Sequence, residues 1–146
     1  MTNAFKGVLI IIAAFISLNI FGCGSSDGNN ENMKVAVAKT GAGVYLLRGV
    51  KMDGISKISL NLSYPTSEMS SPSSVTKGDL VAGATMTANT QNFGYITVDI
   101  TSSTPLSGAG DIVNITFFTE VSTTSGVRID SVDLKGPNGE EISTKY

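Results

Sequence analysis

Beyond residue 33 the apolar residues recur every second position. Ile58, Leu60, Leu62 and Tyr64 alternate with Ser59, Asn61 and Ser63. Ile96, Val98 and Ile100 alternate with Thr97, Asp99 and Thr101, and Val113, Ile115 and Phe117 alternate with Asn114, Thr116 and Phe118. Successive side chains of a strand point to opposite faces, so each segment predicts a strand with one buried and one largely polar face. Further strands are expected over residues 35–38, 44–52, 81–88 and 127–134. Turn residues separate them: Thr40-Gly41-Ala42-Gly43, Lys77-Gly78-Asp79, Gln91-Asn92 and Pro137-Asn138-Gly139. Asp53-Gly54, between two apolar runs, predicts a hairpin turn. Ser107-Gly108-Ala109-Gly110 predicts a further turn between strands, in which Gly108 and Gly110 are both expected to supply positive φ. Phe118 breaks the polar face of its strand and is expected to cover a small second cluster, with a place on an exposed binding surface as the alternative. No segment carries a helical stripe. About eight or nine strands at this spacing require an all-β fold, an antiparallel jelly-roll β-sandwich.

The chain before residue 33 is of a different kind. Lys6 is the one charge in residues 1–22, and an apolar run follows from Val8 to Ile20. As a helix this run spans about 20 Å, short of the roughly 30 Å hydrocarbon core, which suits a signal peptide better than a membrane anchor. It ends in Ile20-Phe21-Gly22-Cys23, which resembles the bacterial lipoprotein cleavage box of a small residue before an obligatory cysteine. That resemblance implies cleavage before Cys23 and a diacylglyceryl group on its sulfur. Cys23 is the single cysteine, so no disulfide competes for it. Two or more acyl chains hold a protein stably on a membrane. Residues 24–32 are rich in Gly, Ser and Asn and predict a flexible tether reaching about 15–18 Å. Residue 24 is Gly rather than the Asp of the inner-membrane retention signal, which favours the outer membrane where the organism has one. The expected organisation is a signal peptide over 1–22, a tether over 23–32 and a domain over 33–146, lipid-anchored in a bacterial cell envelope.

Several function classes are disfavoured. The chain has 10 Lys+Arg and 12 Asp+Glu. Without residues 1–22 the net charge becomes −3, with no basic stripe for nucleic acid. There is no His, so catalytic triads and metal sites built on it are excluded. Glu140 and Glu141 adjoin a turn and do not read as the converging carboxylates of a glycosidase. Asp130 and Asp133 have a spacing that a calcium site could use, but a solvated strand edge is the expected reading. Neither an enzyme nor a cofactor is expected. Sugar sites use flat aromatic platforms, and the chain has no Trp. Tyr45, Phe93, Tyr95 and Tyr146 are the aromatics that remain as candidates for exposure. Phe93 and Tyr95 share a face, and packing in the core or capping its edge is the expectation for both.

Four segments in order resemble a cohesin module. They are VYLLRGVKMDGISKISLNLSY at 44–64, SVTKGDLVAGATM at 74–86, GYITVDITSSTPLSGAGDIVNITF at 94–117 and VDLKGPNGEEI at 132–142. The third is the most telling, with a strand, a Leu-Ser-Gly-x-Gly stretch and a strand ending in Ile-x-Phe. Pro65 stands where the family usually has Asp. The resemblance implies non-catalytic protein recognition, with a calcium-loaded dockerin-type module as partner and a link to polysaccharide breakdown. Any calcium would belong to the partner. The family's docking positions fall near Lys57 and Ser59, where cellulosomal modules favour Asn and Asp. Strand alternation extends that outward row to Lys57, Ser59, Asn61 and Ser63, the candidate partner-binding residues. A surface carbohydrate-binding module and a structural envelope lipoprotein stay open as alternatives.

Overall fold

The computed structural model describes residues 33–121 and 125–146. The signal segment, Cys23 and the tether lie outside the described residues. Seven strands follow in order: β1 (Lys34–Gly41), β2 (Val44–Ser63), β3 (Pro72–Lys77), β4 (Thr85–Asn89), β5 (Tyr95–Phe117), β6 (Arg128–Lys135) and β7 (Glu141–Ile142). A 3₁₀ turn, Asp79–Val81, precedes β4. Every strand pairing is antiparallel.

Two long strands make the sandwich. β2 and β5 pair along most of their length, from Val44↔Thr116 to Ser63↔Tyr95. The first half of β2 and the last half of β5 are flanked by β1 and β3. Their other halves are flanked by β6, β7 and β4. Each long strand thus serves two layers, and the β-sandwich expected from the alternation is present.

The crossing between layers lies where a hairpin was expected. Buried positions on β2 step by two at Tyr45, Leu47 and Gly49, then by three at Met52, Ile55 and Ile58, then again by two at Leu60 and Leu62. A three-residue step in a strand is an inserted residue, and each insertion bends and twists the chain. The pairing register shifts at the same places, between Gly49, Met52, Ile55 and Lys57. Asp53-Gly54 therefore forms part of a bulged corner inside one strand, and the predicted hairpin there is not formed. Lys51 (φ 54°) and Gly54 (φ 67°) take the left-handed conformations of this corner. Opposite them lies Gly108 (φ 103°), as expected, whereas Gly110 does not use positive φ. The stretch 106–110 is continuous with β5 and makes no chain-reversing turn.

Other differences are local. The run 81–88 begins in the 3₁₀ turn and becomes a strand only at Thr85. β3 has a single apolar residue, Val75, and β7 has two residues, so neither carries a period that a sequence reading detects. Phe118 is 75% exposed and covers no cluster. Tyr45 is buried, contrary to its candidacy for exposure. One core joins both layers, with Val35, Leu47 and Ile115 from one and Ile58, Leu60, Leu62, Ile96 and Ile100 from the other.

Candidate functional site

Strands β4, β5, β2 and β6 present one outer face. Lys57, Ser59, Asn61 and Ser63 run down its centre on β2. On one side they oppose Thr101, Asp99, Thr97 and Tyr95 of β5. On the other they oppose Lys135, Asp133, Ser131 and Arg128 of β6. Thr85, Thr87 and Asn89 of β4 extend the same rungs beyond β5. All four sequence-predicted residues are brought together in this row.

The face is held from behind and stitched from the front. Behind it, Ile58, Leu60 and Leu62 are buried in the core, each contributing about 1.5–3 kcal/mol by burial. In front, Ser59 Oγ donates to Asp99 Oδ1 at 2.6 Å and Asn61 Nδ2 to Ser131 Oγ at 2.8 Å. Ser63 Oγ donates to Asp130 Oδ1 at 2.9 Å. These bonds cross to both neighbouring strands, so the fold itself orders the side chains. Both charge signs are present, with Lys57 and Lys135 on one rung and Asp99 and Asp133 on the next. Such a surface can offer donors and acceptors in fixed register to a complementary surface. Among the described residues no group of three or more Cys, Asp or Glu side chains could hold a metal ion. Asp130 is engaged by Ser63 and stands 3.8 Å from the Arg128 guanidinium.

The last rung of the face, Ser63 with Tyr95 and Arg128, is also the rim of a cleft of about 900 Å³ at the end of the sandwich. Phe93 and Tyr95 stand 57% and 58% exposed beside it. Neither ring packs into the core; Phe93 meets the other half of the expectation by capping the core edge at Tyr64. Phe93 touches the edge of Tyr64 at a centroid distance of 6.1 Å, yet leaves most of its ring in solvent.

Sequence reasoning did not single out Glu120. Its carboxylate is 2% exposed and draws three donors together. Lys39 Nζ lies 2.8 Å from Oε1, Tyr45 OH donates to the same oxygen at 2.5 Å, and the Gly43 N–H donates to Oε2 at 2.7 Å. The bonds from Lys39 and Tyr45 hold the Glu120 pKa down at about 2, against an ordinary value of 4.5. The same cluster raises Tyr45 well above its ordinary 10, first by burial and then through Glu120. This cluster ties the β1–β2 hairpin to the segment after β5. No local pattern around residue 120 announces it, because its partners lie about eighty positions away.

No protein-family model matches the sequence, and no curated protein matches it either. Solved structures do. A non-cellulosomal cohesin from the hyperthermophilic archaeon Archaeoglobus fulgidus is 19% identical, with a TM-score of 0.64 over 78% of this chain and 83% of that one. A chain of a type I cohesin–dockerin complex from Clostridium thermocellum is 16% identical, with a TM-score of 0.63 over 78% and 93%. The seventh ScaB type I cohesin from Pseudobacteroides cellulosolvens is 20% identical, with a TM-score of 0.60 over 77% and 84%. The fold is therefore that of an antiparallel all-β sandwich. Within that class it is the cohesin fold.

Proposed function

We propose that this protein is a non-catalytic recognition lipoprotein that displays a cohesin-like module and binds a dockerin-type partner on the β4-β5-β2-β6 face. The observation that carries the reading is the ordered polar row Lys57, Ser59, Asn61 and Ser63 at the centre of that face, on a cohesin fold. On this reading a lipidated Cys23 holds the module to the cell envelope, on the outer membrane where there is one. The partner then belongs to a secreted protein of polysaccharide breakdown.

The docking test is calorimetric titration of the full chain, in detergent, with a panel of calcium-loaded dockerin modules. At least one should bind with Kd of about 1 μM or tighter. Asn61→Arg, which plants a bulky charge mid-face, should weaken that binding by at least about tenfold. Failure of the whole panel, or indifference to Asn61→Arg, would sink the docking assignment. The anchor is tested separately by metabolic labelling with a fatty-acid analogue. The native chain should label and the Cys23→Ala variant should not; label persisting on the variant would refute lipidation at Cys23.

A further inference from the structure

The end cleft has different chemistry from the docking face. Its apolar surface comes from Phe93, Tyr95, Tyr64 and Pro65, and no aliphatic side chain larger than proline lines it. Its polar surface is hydroxyl and guanidinium, with no carboxylate among the lining residues. Thr66 and Ser67 are exposed, and among the described residues neither hydroxyl is used within the fold. Tyr64 forms the floor. It is 5% exposed, and its hydroxyl has no hydrogen-bond partner among the described residues. Ser125 also lines the cleft, and its hydroxyl is engaged outside the lining, donating to Glu68 Oε1 at 3.3 Å. Native folds rarely leave buried polar atoms unpaired, so the Tyr64 hydroxyl at this cleft calls for an explanation.

These features select among ligand chemistries. The cleft is open and aromatic and lacks the enclosing walls that desolvate a buried apolar anchor. A sugar ring offers a face of C–H groups and a rim of hydroxyls. The C–H face matches an exposed aromatic ring, and the rim matches Thr66, Ser67 and Arg128 at the cleft's border. The volume lies within the range of small-ligand sites, roughly 300–1,000 Å³. We infer that this cleft binds a short oligosaccharide, with sugar rings stacked on Phe93 and Tyr95 and hydroxyls bonded by Thr66, Ser67 and Arg128. The inference does not rest on the docking assignment: Tyr95 and Arg128 share the last rung of that face with Ser63, but Phe93, Thr66 and Ser67 lie outside it.

Titration of the full chain in detergent with soluble oligosaccharides of glucose, xylose, mannose and N-acetylglucosamine tests it. At least one should bind with Kd of about 10 μM–1 mM. Phe93→Ala and Tyr95→Ala should each weaken that binding about tenfold. Tyr95→Phe, which keeps the ring, should retain it, and Asn61→Arg on the docking face should leave it unchanged. Both alanine variants remove mostly exposed rings, so their thermal unfolding should stay close to the native midpoint. No binding by any of the four sugars overturns the inference, and so does equal binding by the alanine variants. Loss of dockerin binding in those variants with sugar binding untouched would assign the cleft to a protein partner instead.

Discussion

Glu120 and Asp99 each accept a hydrogen bond from a hydroxyl on β2, Tyr45 in one case and Ser59 in the other. The geometry is similar and the setting is opposite. Glu120 is enclosed and receives a phenol, an ammonium and a backbone N–H. Asp99 lies on the open face and receives one serine. In a water-poor site a polar group that loses its partner keeps the full cost of its burial, whereas on an open face water replaces the partner. The first half of β2 therefore uses a carboxylate to fasten the fold. The second half uses carboxylates to arrange a surface.

The largest effect expected from this contrast is at Glu120. Glu120→Ala leaves the buried Tyr45 hydroxyl and the Gly43 N–H without their acceptor. The loss should be about 2–3 kcal/mol, lowering the thermal midpoint by on the order of 10 °C. Differential scanning calorimetry measures it. A change no larger than that of Ser59→Ala would erase the distinction between the two carboxylates.

A smaller effect follows from pH. The Glu120 pKa in the fold, about 2, lies below its ordinary 4.5. The unfolded chain therefore takes up its proton first as pH falls, and the clamp's contribution is complete above about 4.5 and lost toward 2. Tyr45 acts in the other direction. Its pKa is raised above 10, so the folded state holds that proton longer and stability declines as pH rises beyond 10. Glu120→Gln keeps the shape and removes the charge. Denaturant titrations from pH 5 down to pH 2.5 should show a steeper decline for the native chain than for this variant. Parallel declines would mean that the carboxylate charge at this site adds nothing.

Legibility in the sequence follows the same contrast. The face was readable because strand alternation is local, and Ser59, Asn61 and Ser63 fall outward once Ile58, Leu60 and Leu62 are recognised as core. The clamp was not, because its partners meet only through tertiary folding. The corner at residues 49–58 was half readable. Met52, Ile55 and Ile58 keep an apolar spacing of three, which signals inserted residues, but Asp53-Gly54 is also the sequence of a hairpin. Pairing of both arms with β5 decides between them. The exposure of Phe93 stayed open in the sequence because an aromatic residue just before a strand looks the same whether it turns in or out. Its position depends on Tyr64, which fills the space beneath it.

The smallest effects should come from the polar row, and their smallness is informative. Ser59→Ala, Asn61→Ala and Ser63→Ala each remove one cross-strand hydrogen bond on the open face. Water reaches every partner left behind, so each change should alter unfolding free energy by no more than about 0.5 kcal/mol. The sheet beneath does not need these bonds, because Ile58, Leu60 and Leu62 already fix the strand register from the other side. What the bonds do is choose rotamers, and ordered side chains lose less entropy when a partner binds. Chemical denaturation of the three variants decides the matter. Near-neutral values leave the row free to be shaped by a partner. A cost above about 1 kcal/mol at any of the three would make that residue part of the scaffold, and the line between the fastening half of β2 and its displaying half would have to move.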